Sequence, residues 1–340
     1  MTERKADEVP IFSGNDSQWI DANYQVTPRE YQSIQNRILK VVRQKAVAAK
    51  RMPSVKIPSG IKKYTIETIQ EVTEPKFTDD FLKEDQMPIV KAEVDFYTAF
   101  MHHDYRISMV DQDASANSQF HSESLAQQTI GALTASISDY KEKVIWRGYD
   151  IAGRANAAAA NQGVIDTDVL GILNTSGINT FNAGDGDAII TTVGDGVIGA
   201  SNAVVSLVAD GYYGPYDMYV TPGVWGKLLS NKNATTQASD LQLIAGMEDG
   251  NGNRLFKSIN VTKHLLPTVE ASASEANWAV IDPKDPQGGP TVVILEGYPI
   301  MGLSHSPEAA IASKGKIVWS GCVGVLRPDA ITWDENITYA

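Results

Sequence analysis

Two runs of alternating apolar and polar residues, YTIETIQEV (64–72) and PIVKAEVDFYTAF (88–100), flank the charged stretch EPKFTDDFLKEDQMP (74–88). In the second run Val90, Ala92, Val94 and Phe96 fall on one face and Lys91, Glu93 and Asp95 on the other, the pattern of a half-buried antiparallel strand. Period two persists from Tyr64 to about Ser108, so the region reads as one long hairpin with a solvated tip. A two-stranded ribbon is at best marginal alone in water. Its apolar face must therefore lie against another surface, and the charged tip is unsuited to a core.

The elements around the ribbon are of a different kind. Thr27, Pro28 and Glu30 provide a cap, a first-turn proline and a capping-box partner for a helix. Tyr31, Ile34, Ile38, Val41 and Val42 continue at helical spacing, while Arg37, Lys40, Arg43 and Lys45 fall largely on other faces, so this is a basic amphipathic helix ending before Pro53. Residues 53–63, PSVKIPSGIKK, read as an extended linker. A second helix is expected over 119–148, with Leu125, Ile130, Leu133, Ile137, Tyr140 and Val144 on its apolar side and Gly148 at its end. At ~1.5 Å per residue it would be roughly 45 Å long, a structural spine.

Beyond Ile151 an alanine-rich stretch leads into glycine-rich sequence. A helix follows over 196–209, then the strand YDMYV, then a short helix with Thr221 as cap and Pro222 at its first position. Further strands are expected near 259–265, 278–281, 291–296 and 316–326. Strands and helices mix without βαβ alternation, so the fold class is α+β. With 340 residues, 43% of them hydrophobic, the chain is folded and long enough for two packed units. It shows no membrane span and no secretory signal, which gives the expectation of a soluble protein made in a cytoplasm. Cys322 is the single cysteine and can form no internal disulfide.

The net charge of −12 is unevenly spread: residues 29–63 carry ten bases and one acid, against five acids and two bases in residues 1–28. One short basic segment thus sits on an acidic body, a pattern suited to nucleic acid or another acidic surface; a solvated helix face is the plainer alternative.

Enzymatic and metal chemistry find little footing. His102 and His103 are adjacent on a strand and point to opposite faces, so they cannot chelate one ion together. The run Asp249-Gly-Asn251-Gly-Asn253 begins like a calcium loop, but Arg254 and Asn260 occupy the positions that need glycine and glutamate, so a polar turn is expected. No Walker loop, dinucleotide fingerprint or nucleophile elbow is present. The expectation is a non-enzyme with no cofactor and no metal.

Three segments, taken in their order, carry a resemblance to a known fold. They are Asp139–Gly148 (DYKEKVIWRG), Gly171-Ile172-Leu173-Asn174, and Gly214-Pro215-Tyr216 leading a strand and a helix that bears Trp225. Together with the basic helix, ribbon and spine, they make the chain resemble the Hong Kong 97-type shell proteins, the major capsid proteins of tailed viruses and the encapsulins. The resemblance implies an N-terminal arm and basic helix over 1–63, an extended E-loop over 64–108 and a peripheral domain with the spine helix over 109–164. It further implies an apical domain over 165–290 and C-terminal strands over 291–340 that return to the peripheral domain. It also implies pentamers and hexamers in an icosahedral shell around double-stranded DNA, within a virion assembled in a host cytoplasm. Portal, scaffold or decoration proteins would be further partners, with no membrane. On that reading Arg37, Lys40, Arg43, Lys45, Lys50 and Arg51 face the genome, and Phe77, Phe81, Lys83 and Lys91 of the E-loop meet a neighbouring subunit. No asparagine can be placed opposite Lys83 or Lys91, so covalent cross-linking is not expected. An encapsulin-type compartment around a protein cargo is the alternative, and the basic segment favours the virus.

Overall fold

The computed structural model describes residues 38, 47–72, 89–108, 125–148, 169–181, 190, 192–265, 275–286, 288–304 and 312–338. They fall into two compact units, one drawn from residues 1–60, 99–145 and 295–321, the other from 61–98, 146–294 and 322–340. None of the described helices is long and apolar enough to cross a membrane.

The first unit is a four-stranded sheet and a long helix. Strands β1 (Ser54–Lys56), β4 (Ala99–Ser108), β9 (Val292–Ser304) and β10 (Ala312–Val325) lie in the order β1-β9-β10-β4. Helix α1 (Leu125–Arg147) is the expected spine, and the expected start at 119 lies outside the described residues. Its buried side carries Ile130, Ile137, Val144 and Ile145, and also Thr134, Ser138, Lys141 and Glu142. Tyr140 is 45% exposed and lies under the Lys143 ammonium, so it is not on the buried face as its spacing had indicated. The places that pattern reading reserves for apolar residues are taken in part by polar groups: Thr134 Oγ1 donates to the Ile130 carbonyl at 2.7 Å and Lys141 and Glu142 have partners on other segments, while the buried Ser138 hydroxyl has no hydrogen-bond partner among the described residues.

The second unit contains the ribbon, formed by β2 (Lys63–Val72) and β3 (Ile89–Tyr97) paired antiparallel from Lys63↔Tyr97 to Val72↔Ile89 with an irregularity between Ile69 and Glu71. The Lys63 ammonium lies 2.7 Å from the Asp95 carboxylate, which also accepts from Thr65 Oγ1 at 2.6 Å. The ribbon ends at Tyr97 instead of running on to Ser108, because Thr98 closes it. The Thr98 N–H and Oγ1 donate to the carbonyls of Lys62 and Ile61, after which the chain enters β4 and pairs with β10. Alternation alone could not show this change of partner, since both strands have the same period.

A five-stranded sheet follows, with β5 (Asn179–Phe181), β6 (Tyr216–Val220), β7 (Phe256–Val261), β8 (Glu275–Ile281) and β11 (Ile331–Thr338) in the order β5-β11-β8-β6-β7. β6 is buried at every residue. Met218, Val220, Trp278 and Val280 pack with Ala200, Val204 and Leu207 of helix α2 (Asp195–Ala209), Val224 and Leu228 of α3 (Pro222–Ser230) and Ile244 of α4 (Asp240–Ala245). On the other face Tyr219 meets Trp146 edge-on at 4.8 Å. Not all C-terminal strands join the first unit: β11 lies between β5 and β8, with Trp333 opposite Ala279. Its sequence is fully compatible with either sheet, and the partner is fixed only in three dimensions.

Candidate assembly surface

Within the basic segment, Ile38 is helical and buried, and residues 47–63 are described; there Ala48–Lys50 form a 3-10 turn rather than the end of an α-helix. Its leading N–H groups have no partner within the turn, and the Glu142 carboxylate of α1 supplies them. It accepts from the N–H of Val47 at 2.8 Å, Ala48 at 3.0 Å and Ala49 at 3.1 Å. Burial raises the Glu142 carboxyl above its ordinary value, partly offset by those three donors. Beside it, Lys141 Nζ lies 2.5 Å from Glu296 Oε1 of β9, and Glu296 also accepts from Trp319 Nε1 at 3.0 Å and Ser54 Oγ at 2.8 Å. Burial pushes Glu296 up, but the Lys141 ammonium and these donors outweigh it and hold the carboxyl below the ordinary range. Two carboxylates therefore fasten residues 47–54 to the spine and sheet. Lys50 and Arg51 are exposed on this fastened turn. Arg37, Lys40, Arg43 and Lys45 lie outside the described residues.

Of the ribbon residues singled out, Phe77, Phe81 and Lys83 lie outside the described residues, and Lys91 stands opposite Ile69 in the register. At the other end of the resemblance, the WRG and GILN segments meet. Gly148 ends α1 at φ +70°, and a Cβ there would come within 2.2 Å of the Val169 carbonyl; Asn174 Nδ2 donates to the Arg147 carbonyl at 2.6 Å.

The second unit shows an outward apolar surface that sequence reasoning missed. Helices α2, α3 and α4 cover the five-stranded sheet with one face each, yet they carry large apolar residues on the other. Ile198 is 59% and Val205 65% exposed on α2, one heptad apart, with Trp225 and Leu229 one turn apart on α3 and Leu243 on α4. A helix apolar on two faces has a second surface to cover. The signal was readable in Ile198, Val205 and Val208 of GVIGASNAVVSLVA, apolar residues that lie off the Val197, Ala200, Val204 and Leu207 face.

Chemistry of other kinds is thin among the described residues. No group of three His, Cys, Asp or Glu side chains is arranged to hold a metal ion. His103 Nε2 lies 3.1 Å from Ser136 Oγ of α1, on the opposite face of β4 from His102. Asp249 accepts from the N–H of Asn251 and Asn253, both at 2.8 Å, and forms the expected polar turn. The buried Cys322 thiol is pushed up to about 12 by desolvation, far from a reactive thiolate.

No family model matches the sequence, and no curated protein matches it. Solved structures do. A virus-like particle from Pyrococcus furiosus is similar over 90% of this chain and 99% of its own, with TM-score 0.55 and 12% identity. The capsid of Myoviridae phage XM1 is similar over 85% of this chain and 91% of its own, with TM-score 0.57 and 8% identity. A structure of Mycobacterium phage Ogopogo covers 87% of this chain and 92% of its own, with TM-score 0.53 and 15% identity. At these identities the likeness establishes the fold.

Proposed function

We propose that this chain, which has the Hong Kong 97-type capsid fold, is a major capsid protein that assembles into an icosahedral shell around double-stranded DNA. The observation that carries the reading is near-complete coverage, in both directions, of shell-forming subunits by a chain whose helices α2–α4 keep an uncovered apolar surface. A second copy of the chain is the occupant this surface fits, because rotation brings one patch repeatedly against a complementary one until the shell closes. The ribbon, marginal by itself, gains its cover from a neighbouring subunit in the same way.

The basic segment supports the genome. Arg37, Lys40, Arg43, Lys45, Lys50 and Arg51 would neutralise phosphates and release counterions, and the acidic remainder of the chain would face outward. Phe77, Phe81, Lys83 and Lys91 are assigned to the contact with a neighbouring subunit, and portal, scaffold or decoration proteins complete a virion. Electron microscopy of the natively purified assembly, with absorbance at 260 and 280 nm on the same sample, tests the reading. Large icosahedral particles rich in DNA are expected. Small shells filled with protein would transfer the chain to the encapsulin-type compartments, and a protein that stays monomeric or dimeric under all assembly conditions would overturn both.

A further inference from the structure

The four-stranded sheet of the first unit has one face against α1 and one away from it. Gly315, Ile317 and Trp319 of β10 stand opposite Tyr105, His103 and Met101 of β4, and this face meets α1 through His103 with Ser136 and through Lys141 over the Trp319 ring. The intervening residues Phe100, His102, Asp104 and Arg106 of β4 therefore project away from α1, together with Lys314 and Lys316 opposite Arg106 and Asp104. Phe100 is 60% exposed and sits 6.2 Å from the His102 ring and 6.5 Å edge-on from Tyr298. Asp104 is held by Lys316 at 3.2 Å. From Phe100 to Arg106 the row is about 20 Å long, at ~3.4 Å per residue. It lies on the unit whose described residues carry more bases than acids, whereas those of the second unit carry more acids than bases.

We infer that this face of β4 and β10 is a DNA-backbone contact, separate from the basic N-terminal segment. Arg106, Lys314 and Lys316 take phosphates, and the exposed ring of Phe100, backed by the half-buried Tyr298 ring, supplies apolar surface for the deoxyribose between them. Asp104 moderates the site by holding Lys316, which keeps the contact weak enough for DNA to slide as it is packed. The inference rests on the capsid reading and deepens it.

The test uses the full chain, as dissociated subunits, in salt titrations against a fluorescent DNA duplex, with microscopy of each assembled variant. Replacing both lysines (K314E with K316E) is expected to weaken duplex binding at least tenfold at low salt. The slope of log affinity against log salt should become shallower by about two, at ~0.9 per phosphate contact. Asp104→Asn is expected to bind several-fold tighter, a gain that a purely structural role would not produce. Shells of wild-type size should still form. Unchanged DNA affinity in both variants would overturn the inference, as would lost shell formation with affinity intact, which would make the face a subunit contact and leave the capsid reading standing. A wild-type chain that forms no shell would overturn the capsid reading, and this inference with it.

Discussion

At the scale of single residues the decisive groups are adjacent carboxylate and ammonium neighbours on the spine. Lys141 and Glu142 look like an ordinary solvated pair in DYKEKVIWRG, and only their partners explain their burial. Removing the acceptor with Glu142→Ala leaves three N–H groups of residues 47–49 unsatisfied, and should cost about 2–4 kcal/mol in denaturant unfolding. Lys141→Ala should cost about 3–5 kcal/mol by leaving Glu296 buried without its cation. The two carboxylates should also respond oppositely to acid. Glu142 has a raised pKa when folded, so the fold binds the proton more readily than the unfolded chain; wild type should gain stability relative to E142Q as pH falls through that raised value. Glu296 has a depressed pKa, so its contribution is complete above the ordinary carboxylate range and is lost as pH falls through the depressed value; wild type should lose stability relative to E296Q there. Unfolding midpoints measured across acidic pH decide both, and slopes of the same sign would refute this account of the pair. Gly148→Ala should be severely destabilising, because φ is +70° and the added carbon meets the Val169 carbonyl.

Among the elements, helices and strands differ in how far their own residues announce them. YDMYV is a strand at residues 216–220 as its apolar run indicates, and α2 begins at Asp195, one residue before the expected start. Thr221 stands at the head of α3, but its buried hydroxyl makes no capping bond and the first turn closes through its carbonyl instead. The short helix α4 was legible and overlooked: Ser239 and Gln242 form a complete capping box. The strand expected near 291–296 is longer: β9 continues through Gly297, Pro299 and Gly302 to Ser304, pairing in the sheet despite residues that usually interrupt a strand. An added Cβ at 297 would sit in ordinary contact, 3.4 Å from Ser320 Oγ and 3.5 Å from the Ser59 Cα, so this glycine leaves the strand unbroken without being demanded by space. For α2 the prediction concerns its outward face. Ile198→Asp with Val205→Asp should leave subunit stability within about 0.5 kcal/mol, since both side chains are exposed. The same pair should abolish shells in microscopy, because each apolar side chain buried at a contact contributes about 1.5–3 kcal/mol.

For the whole molecule, the order of segments pointed to the fold: a ribbon that cannot stand alone, a long spine and a WRG end closed by glycine. Charge was legible too: the basic segment at 29–63 stands out in the sequence, and Lys50 and Arg51 within it are exposed on a turn fixed to the spine. A chain with Arg37, Lys40 and Arg43 all reversed in sign should still form shells yet retain less DNA, measured as a fall in the 260/280 nm absorbance ratio; equal loss of both would assign these residues to packing. What the sequence by itself determined was local: where the period is two or 3.6, where the chain must turn, and where charge collects. These follow from the backbone and from neighbouring side chains alone. The tertiary structure alone decided that β4 leaves the ribbon for β10, that β11 enters the five-stranded sheet, and that Glu142 and Glu296 are interior anchors. Each is a choice between partners distant in sequence, and a strand's alternation or a carboxylate's charge is the same whichever partner it meets.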